Sequence, residues 1–460
     1  MTADVVVIGG GVAGLSAAVS VAESLPSDAR VVLVEKASAG EAGGNSRWTD
    51  AYFRLEDVYE PADGFVEDML EFSQGQTDRQ YAEALVERLP EAMEWVQGHG
   101  VRFQRRATYF VTASRPRMMP VGGGESMVRH LTEAARALGV EVRYSSPVTT
   151  LERDGDDIVV GYEGPEGPST LTSRACVIAC GGFEGDQERL RRHLGDAAAT
   201  MKPIAPGGLF NTGEVIDAAI RLGAAVAGEW PGFHGEPVDA RSKQAEASIM
   251  VFPYGIVVDR ECERFFDEGR GTVDETYEDL ARAILARPES AAYLIADASF
   301  LDVPGIERGI LSDRKPIRAD TLEELADELG LDAVKLGATV AAYNAAITGE
   351  PSFDPTRPDG RGTAGLEPPK SNWATCIERA PFIGIPLITD IVFTYGGLAT
   401  DAHAHVLDDS GNAVPGLYAV GECTGIYYSK YPGATSVMRG LVFGHHVGRQ
   451  LAGDLEHAHV

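Results

Sequence analysis

The sequence predicts an α/β protein in which a Rossmann-like domain, built on a mostly parallel sheet, carries an inserted second domain. Three observations predict it. The apolar run Val5-Val6-Val7-Ile8 leads directly into Gly9-Gly10-Gly11-Val12-Ala13-Gly14 and a helix-like stretch. A second apolar run, Val31-Val32-Leu33-Val34, ends on Glu35, at the spacing where a strand, turn, helix and strand unit places its acidic residue. Near residue 233 the alternation of strand-like and helix-like runs changes character, and it resumes after a stretch rich in proline and glycine.

The opening unit is a dinucleotide fingerprint in its full context. Gly9 permits the tight turn, Gly11 admits a pyrophosphate to the N–H groups at the helix start, and Gly14 lets helix and strand pack closely. Glu35 stands where a carboxylate can accept from both ribose hydroxyls of an adenosine. Next comes Gly43-Gly44-Asn45-Ser46-Arg47, for which nicotinamide dinucleotide sites have no matching requirement. The strand-like runs Val140-Glu141-Val142-Arg143-Tyr144 and Ala175-Cys176-Val177-Ile178-Ala179 follow. The second ends in Cys180-Gly181-Gly182-Phe183, whose glycines bring backbone close to the cofactor.

Residues 1–232 therefore read as the first part of the dinucleotide domain. Residues 233–356 read as the insertion, with a strand at Ile256-Val257-Val258, a charged helix over 277–285 and an acidic helix over 321–329. Pro351, Pro355 and Pro358 with Gly360, Gly362 and Gly365 mark the return crossing, and residues 357–460 complete the first domain. In that return Leu417-Tyr418-Ala419-Val420 ends in Gly421-Glu422, which resembles the late Gly-Glu or Gly-Asp of two-dinucleotide-fold flavoproteins, a resemblance that implies a carboxylate near the ribityl chain and backbone near the flavin. A cofactor gripped by both ends of the chain points to FAD.

Composition narrows the function. The chain has 460 residues, 44% of them hydrophobic, which allows more than one domain and a large core. No apolar stretch approaches the roughly 18 residues of a membrane span, and the first strand starts at Asp4, so a soluble cytoplasmic protein is expected. Five cysteines without a CxxC pair predict packed reduced thiols and no metal centre. The net charge of −29 disfavours nucleic acid and anionic lipid, and an anionic substrate would need a few concentrated cations.

The fingerprint, Gly43-Gly44-Asn45-Ser46, the Ala179 to Phe183 strand end, Asn211-Thr212-Gly213-Glu214 and Gly416 to Glu422 together resemble the flavoprotein subunits of the fumarate reductase and succinate dehydrogenase superfamily. The resemblance covers essentially the whole chain. Within the superfamily, the segment ending at Arg47-Trp48, Phe265-Phe266-Asp267-Glu268-Gly269, and residues 359–374, 393–398 and 431–440 resemble the FAD-dependent tricarballylate dehydrogenases. The resemblance implies a Rossmann-like FAD-binding domain with an inserted α+β capping domain, and a substrate held between them over the isoalloxazine. It extends the expected cofactor contacts to Ala13, Lys36, Val148, Thr212, Ser436 and Val437. It also implies hydride exchange with a saturated carbon while a proton leaves its neighbour, forming a double bond beside a carboxylate or ketone. Residues 43–46 lack a histidine for covalent attachment, so noncovalent FAD is expected, with electrons passing to a separate acceptor protein or quinone.

The chain departs from the fumarate reductases in its chemistry-bearing positions. Phe393 precedes Thr394-Tyr395-Gly396-Gly397 where they place a histidine, and Lys430 stands where they carry an arginine. The position of their proton-donating arginine falls near Val273, with Arg270 as a substitute at a different offset. Arg270, Tyr395, Lys430 and Tyr431 are accordingly expected to converge on the reacting atoms. Tyr395 is read at the flavin face, and Tyr431-Pro432-Gly433 is similar to the tyrosine segment of 3-ketosteroid dehydrogenases. His234 faces substrate or packs in the core. Arg47 and Arg439 bind a carboxylate or pair with surface acids, with the paired reading preferred for Arg439. Arg102, Arg105, Arg106, Arg115 and Arg117 form a basic stretch that is solvated or recognises a carboxylate.

Three functions remain open on these grounds. The leading one is desaturation of a small carboxylic acid of the tricarballylate type, in either direction. The second is a ketone or 3-ketosteroid-type desaturase, and the third a catalytically inactive flavin-binding sensor or assembly protein.

Overall fold

Runs that are apolar on both faces belong in a parallel sheet covered on both sides. Val5 to Ile8 and Val31 to Val34 are such runs, and all eight residues are buried. In the computed structural model, which describes residues 1–105, 116–349 and 351–457, strands Thr2–Ile8, Val31–Val34 and Glu141–Arg143 lie side by side in parallel. The other edge of Thr2–Ile8 pairs with the end of the long strand Gly167–Ile178, which pairs in turn with Ala413–Ala419, again in parallel. His405–Leu407 closes that edge antiparallel. Near its start Gly167–Ile178 leaves the stack and joins Asp157–Gly164 and Val148–Asp154 in an antiparallel meander. The run Ala175 to Ala179 was read as a strand of five residues, and all of it but Ala179 belongs to one of twelve, whose more polar first half pairs with the meander.

The helix Val12–Ser24 follows the first strand and lies against the last helix, Ser436–His457. Gly440, Gly444 and Gly448 recur every four residues on the last helix and face the first. A Cβ at Gly444 would stand 2.5 Å from the Ala13 carbonyl oxygen, and one at Gly448 2.5 Å from the Val21 nitrogen. The backbones touch. Ser20 Oγ donates to the His445 carbonyl at 2.7 Å, joining positions 425 residues apart. Gly14 works on the strand side of the same helix, where an added Cβ would lie 1.9 Å from the Gly9 carbonyl oxygen.

A second sheet is antiparallel, in the order Phe233–Asp239, Phe382–Thr394, Ala291–Ala296, Ile256–Val258, with Ile317–Ala319 also on Phe382–Thr394. Helix Val273–Leu285 packs its Leu280 and Ile284 on one face, and Leu322–Leu329 and Ala333–Ala346 pack on the other. Capping boxes set where two of these helices begin: Thr272 with Glu275, and Thr321 with Glu324. The first therefore starts four residues before the charged stretch that marked it in the sequence.

The return crossing read at residues 351–365 meets a different arrangement. Pairing keeps the chain in the second sheet through Thr394, since Phe382–Thr394 is an inner strand of that sheet. The proline and glycine stretch instead wraps the second unit: Tyr254 donates to the Pro355 carbonyl at 2.8 Å, and Trp373 Nε1 to the Asp354 and Arg357 carbonyls at 2.9 Å each. Lys370, fully buried, donates to the carbonyls of Pro253 and Gly255 and faces Glu268 of the Phe265 to Gly269 motif at 3.8 Å. Both motifs thus brace this unit. No helix among the described residues is long and apolar enough to cross a membrane.

Gly14→Ala should be felt through the Gly9 backbone, which cannot yield as a flexible side chain would. A loss of about 1–3 kcal/mol in urea unfolding is expected, as for other overpacked positions.

Candidate active site

The glycines of the fingerprint shape a cleft between the two helix-bearing halves of the first sheet, with about 1310 Å³ of unfilled space, its solvent-open part included. Gly9 has φ +106° and would put a Cβ 2.3 Å from the Ala179 carbonyl oxygen, so no other residue fits this turn. The helix start at Gly11 has no side-chain cap and no acidic residue in its first turn, leaving N–H groups for an anion. Glu35 Oε2 accepts from Gly10 N at 2.6 Å and Oε1 from Ala37 N at 2.7 Å. Burial pushes the Glu35 carboxyl up, and those two N–H groups offset part of the rise. An uncapped helix start, a glycine cradle and a carboxylate at its edge fit an adenine dinucleotide.

Most residues expected at the cofactor line this cleft: Gly9, Gly11, Ala13, Glu35 and Lys36 from the first unit, Gly44, Asn45 and Ser46 from the next, then Val148 and Gly181, and finally Gly421, Glu422, Ser436 and Val437. Four stand behind it. Gly14 packs helix on turn as described. Gly43, φ +122°, faces Arg47. Gly182 makes room for Glu422 Oε1, which a Cβ would approach to 2.2 Å. Thr212 Oγ1 accepts from Lys36 Nζ at 2.5 Å, beside the Lys36–Glu214 ion pair of 2.7 Å.

A second cleft, with about 900 Å³ of unfilled space, adjoins the first through Thr49, Glu246, Val392, Phe393, Ser436 and Val437. Its other walls include Asp50, Arg117, His234, Glu236, Val273, Asp274, Tyr277 and Tyr431. Arg117 is bound to Asp274 at 2.7 Å. Burial, with the charges of Glu236 and Asp50, pushes the Glu246 carboxyl up to about 9. The Tyr431 hydroxyl sits at the start of the last helix, accepting from Thr435 N at 2.8 Å and Ser436 N at 3.0 Å, 3.1 Å from Ser436 Oγ.

Helix Val273–Leu285 ties this cleft together through Glu278. Its carboxylate accepts from Tyr395 Oη at 2.8 Å, Arg282 Nη2 at 2.7 Å and Tyr431 N at 3.3 Å, and holds His234 Nδ1 at 3.2 Å. His234 Nε2 is 3.5 Å from the Tyr277 hydroxyl and 3.6 Å from Glu236. Burial pulls the His234 imidazole down, but the hydrogen bonds it donates to the two glutamates, and their charges, outweigh it and hold the ring above the ordinary histidine value. Burial likewise raises Glu278, and His234, Arg282 and Tyr395 outweigh it, holding the carboxyl below the usual range. Asp274, Tyr277 and Glu278 lie on one helix face by their spacing, a signal the sequence carries and its reading passed over.

Several expected residues stand elsewhere. Tyr395, read at the flavin face, is 1% exposed and lines neither cleft, because Glu278 binds its hydroxyl in the core. Arg270 and Lys430 do converge, but on Asp279: Lys430 Nζ lies 2.6 Å away, and Arg270 pairs with the same oxygen while its guanidinium covers Phe266. Neither lines either cleft. Arg439, read as paired at the surface, is buried. Its Nη1 donates to Thr424 Oγ1 at 2.6 Å, and its guanidinium covers Tyr427 at 4.7 Å. Arg47 bonds the Gly40 carbonyl and pairs with Glu125 at 3.5 Å. In the basic stretch Arg102 bonds the Gln97 carbonyl and Arg105 faces Glu56 at 3.7 Å, while Arg106 and Arg115 lie outside the described residues.

The His234–Glu278 pair has opposite pH limits. Glu278 contributes stability above the ordinary carboxylate value that is lost as pH falls through its lowered one. His234 contributes stability below the ordinary histidine value that is lost as pH rises through its raised one. Glu278→Gln should make His234 titrate at lower pH by proton NMR and cost at least about 1–3 kcal/mol in urea unfolding near neutrality.

Comparison with known proteins agrees with this geometry. Residues 4–437 match the family model described as FAD binding domain. The chain is similar to the probable fumarate reductase Ifc3 of Shewanella frigidimarina, at 25% identity over 98% of this chain and 74% of that one. It is also similar to 4-oxocyclohexanecarboxylate 2-dehydrogenase of Sinomonas cyclohexanicum, at 30% identity over 73% of this chain and 62% of that one. Its fold matches the open conformation of a flavocytochrome c3 fumarate reductase with TM-score 0.78 and 22% identity, covering 98% of this chain and 78% of that one. An uncapped glycine turn facing Glu35 and a match across almost the whole chain make this chain a member of the FAD binding domain family, a fumarate-reductase-like flavoprotein oxidoreductase.

Proposed function

We propose that the protein is an FAD-dependent oxidoreductase that acts on CH–CH groups and forms or reduces a double bond conjugated to a carbonyl, with a ketone as the activating group. The observation that carries this is the Tyr431 hydroxyl in the wall of the second cleft, which the N–H groups of Thr435 and Ser436 at the start of the last helix donate into. Amide donors into an oxygen polarise its own O–H outward, so a carbonyl oxygen seated there would be drawn toward an enolate. The charge of the second cleft favours the same class of substrate. Asp50, Glu236 and Asp274 stand against Arg117 and His234, and a substrate with several carboxylates would meet more like charge than opposite. The similarity to 4-oxocyclohexanecarboxylate 2-dehydrogenase adds a relative named for a ring ketone.

Bound FAD supplies the hydride acceptor, or the donor in reverse. The chain supplies the rest. Tyr431 and the last helix hold the carbonyl, and His234 Nε2 exchanges the proton at the carbon next to it. Glu278 fixes the ring from the other nitrogen. Because its value is raised, His234 keeps its proton to higher pH than an ordinary histidine, so proton delivery to a double bond persists to higher pH and desaturation rises as pH climbs through the raised value. Noncovalent FAD is part of this reading, since Asn45 and Ser46 occupy the segment where a histidine would be needed. A tricarballylate-type acid is the second reading, favoured by Arg117, whose guanidinium lines the cleft and could exchange Asp274 for a substrate carboxylate.

Anaerobic mixing with cyclic ketones, ketosteroids and di- and tricarboxylates, followed by flavin absorbance, separates the two. Bleaching by ketones supports the first reading, and bleaching by tricarboxylates alone overturns it. Tyr431→Phe should slow bleaching by the active substrate at least tenfold, about 1.4 kcal/mol of barrier. Glu35→Ala should weaken FAD binding to the apoprotein by about 1–3 kcal/mol in a fluorescence titration, through lost acceptors for the ribose hydroxyls.

A further inference from the structure

The second cleft holds one cation that the ketone chemistry above leaves unused. Among the described residues that line it, only Arg117 and His234 carry basic side chains, and His234 is held at both ring nitrogens, by Glu278 at 3.2 Å and Glu236 at 3.6 Å. Arg117 is bound to Asp274 at 2.7 Å, with side chains 14% and 13% exposed. A pair this far out of water does not open for a neutral ligand, because a buried guanidinium would be left without its acid. A ligand carboxylate can take the place of Asp274, since the guanidinium then keeps a partner.

The two partners come from different units and are held differently. Arg117 directly precedes the strand Met118–Pro120, and Met118 exchanges backbone hydrogen bonds of 2.8 and 2.9 Å with Phe53, which fixes the arginine to the first unit. Its guanidinium lies 5.9 Å from the ring centroid of Tyr52, another wall of the cleft. A Cβ at Gly433 would stand 3.5 Å from Arg117 Nη2, so the guanidinium adjoins the turn that follows Tyr431. Asp274 is the second residue of helix Val273–Leu285. The N–H groups and dipole at a helix start favour an acid there whether or not Arg117 is bound to it. A smaller cavity behind the pair, walled also by Arg54 and Glu275, has about 290 Å³ of unfilled space, its solvent-open part included, into which the Asp274 carboxylate can turn. Asp274 is therefore the partner that yields.

We infer that Arg117 determines specificity: it gives up Asp274 for the carboxylate of a ketone substrate that carries a single carboxylate, while the ketone oxygen sits at Tyr431. A second carboxylate would find no further cation in the cleft and would face Asp50, Glu236 and the displaced Asp274. A ketone without a carboxylate would meet the Arg117–Asp274 pair closed and gain nothing from it. The inference rests on the ketone reading of the site and adds to it the charge of the substrate.

The test uses 3-hydroxybenzoate and 4-hydroxybenzoate, flat ligands that carry a phenol oxygen and a carboxylate on one ring and do not turn over, each beside its methyl ester. Their affinities for the FAD-loaded protein are read from the perturbation of flavin absorbance. One of the acids should bind the parent at least about tenfold more tightly than its ester. Arg117→Gln should abolish that preference, whereas Asp274→Asn should enlarge it at least about threefold, because the competitor for Arg117 is gone. Both variants lose the same ion pair, so a pair that only braces the fold would move the preference the same way in both, and that result overturns the inference. A parent that binds the esters as well as the acids, or binds neither, also overturns it. Should Arg117→Gln fail to hold FAD, the parent and Asp274→Asn decide between them. Flavin bleaching by tricarboxylates alone is a separate observation, and it overturns the ketone reading itself.

Discussion

The buried carboxylate of Glu278 is the interaction through which the two units of the molecule become one site. It belongs to a helix of the second unit, and it holds the backbone of Tyr431 and the ring of His234. Placing such a charge out of water is unfavourable unless every lone pair is met, and here four donors meet it. Truncating any one of them would leave a charge the rest could not satisfy. The walls of the second cleft come from segments far apart in sequence, and this cluster joins them. Asp279 repeats the arrangement one residue further on, with Arg270 and Lys430 outside the cleft.

The dinucleotide half of the site was legible in the sequence because its demands are local. Gly9, Gly11 and Glu35 answer to turn geometry, helix termini and ribose chemistry within one strand, helix and strand unit, and all three line the cleft. The late Gly421-Glu422 was legible for the same reason. The substrate half was not, because its residues meet only after the second sheet has formed. Tyr395 was read at the flavin face, yet its hydroxyl bonds Glu278 in the core, while Phe393, two residues earlier, lines both clefts. Arg439 had the charge of a surface residue and the position of a core one. Periodicity cannot tell these apart when a guanidinium is met by Thr424 and a tyrosine ring. The boundary at 356 failed in the same way: proline and glycine mark a loop but not which sheet the next strand joins.

The two clefts differ in what their walls do with charge. The first offers uncapped helix N–H groups for a phosphate anion, with Lys36 and Arg439 among its walls beside the carboxyl groups of Glu35, Glu214, Glu246 and Glu422. The second has its arginine and histidine already engaged by acids. Such pairing keeps the cations from acting as open anion traps in a chain of net charge −29, and makes selectivity a matter of which partner a substrate can displace.

The glycine ladder on the last helix has a consequence for biosynthesis. Gly444 and Gly448 bring that helix against the backbone of the first one, which is made hundreds of residues earlier. During translation the first helix therefore waits with its apolar face uncovered until residues 436–457 have emerged from the ribosome. Ser436, Val437 and Arg439 at the start of the same late helix also wall the FAD cleft. A nascent chain can assemble its fingerprint turn early, but it can close around FAD only once that helix is made, so a ribosome stalled before it would leave an incomplete FAD cleft and a sticky face for chaperones to hold.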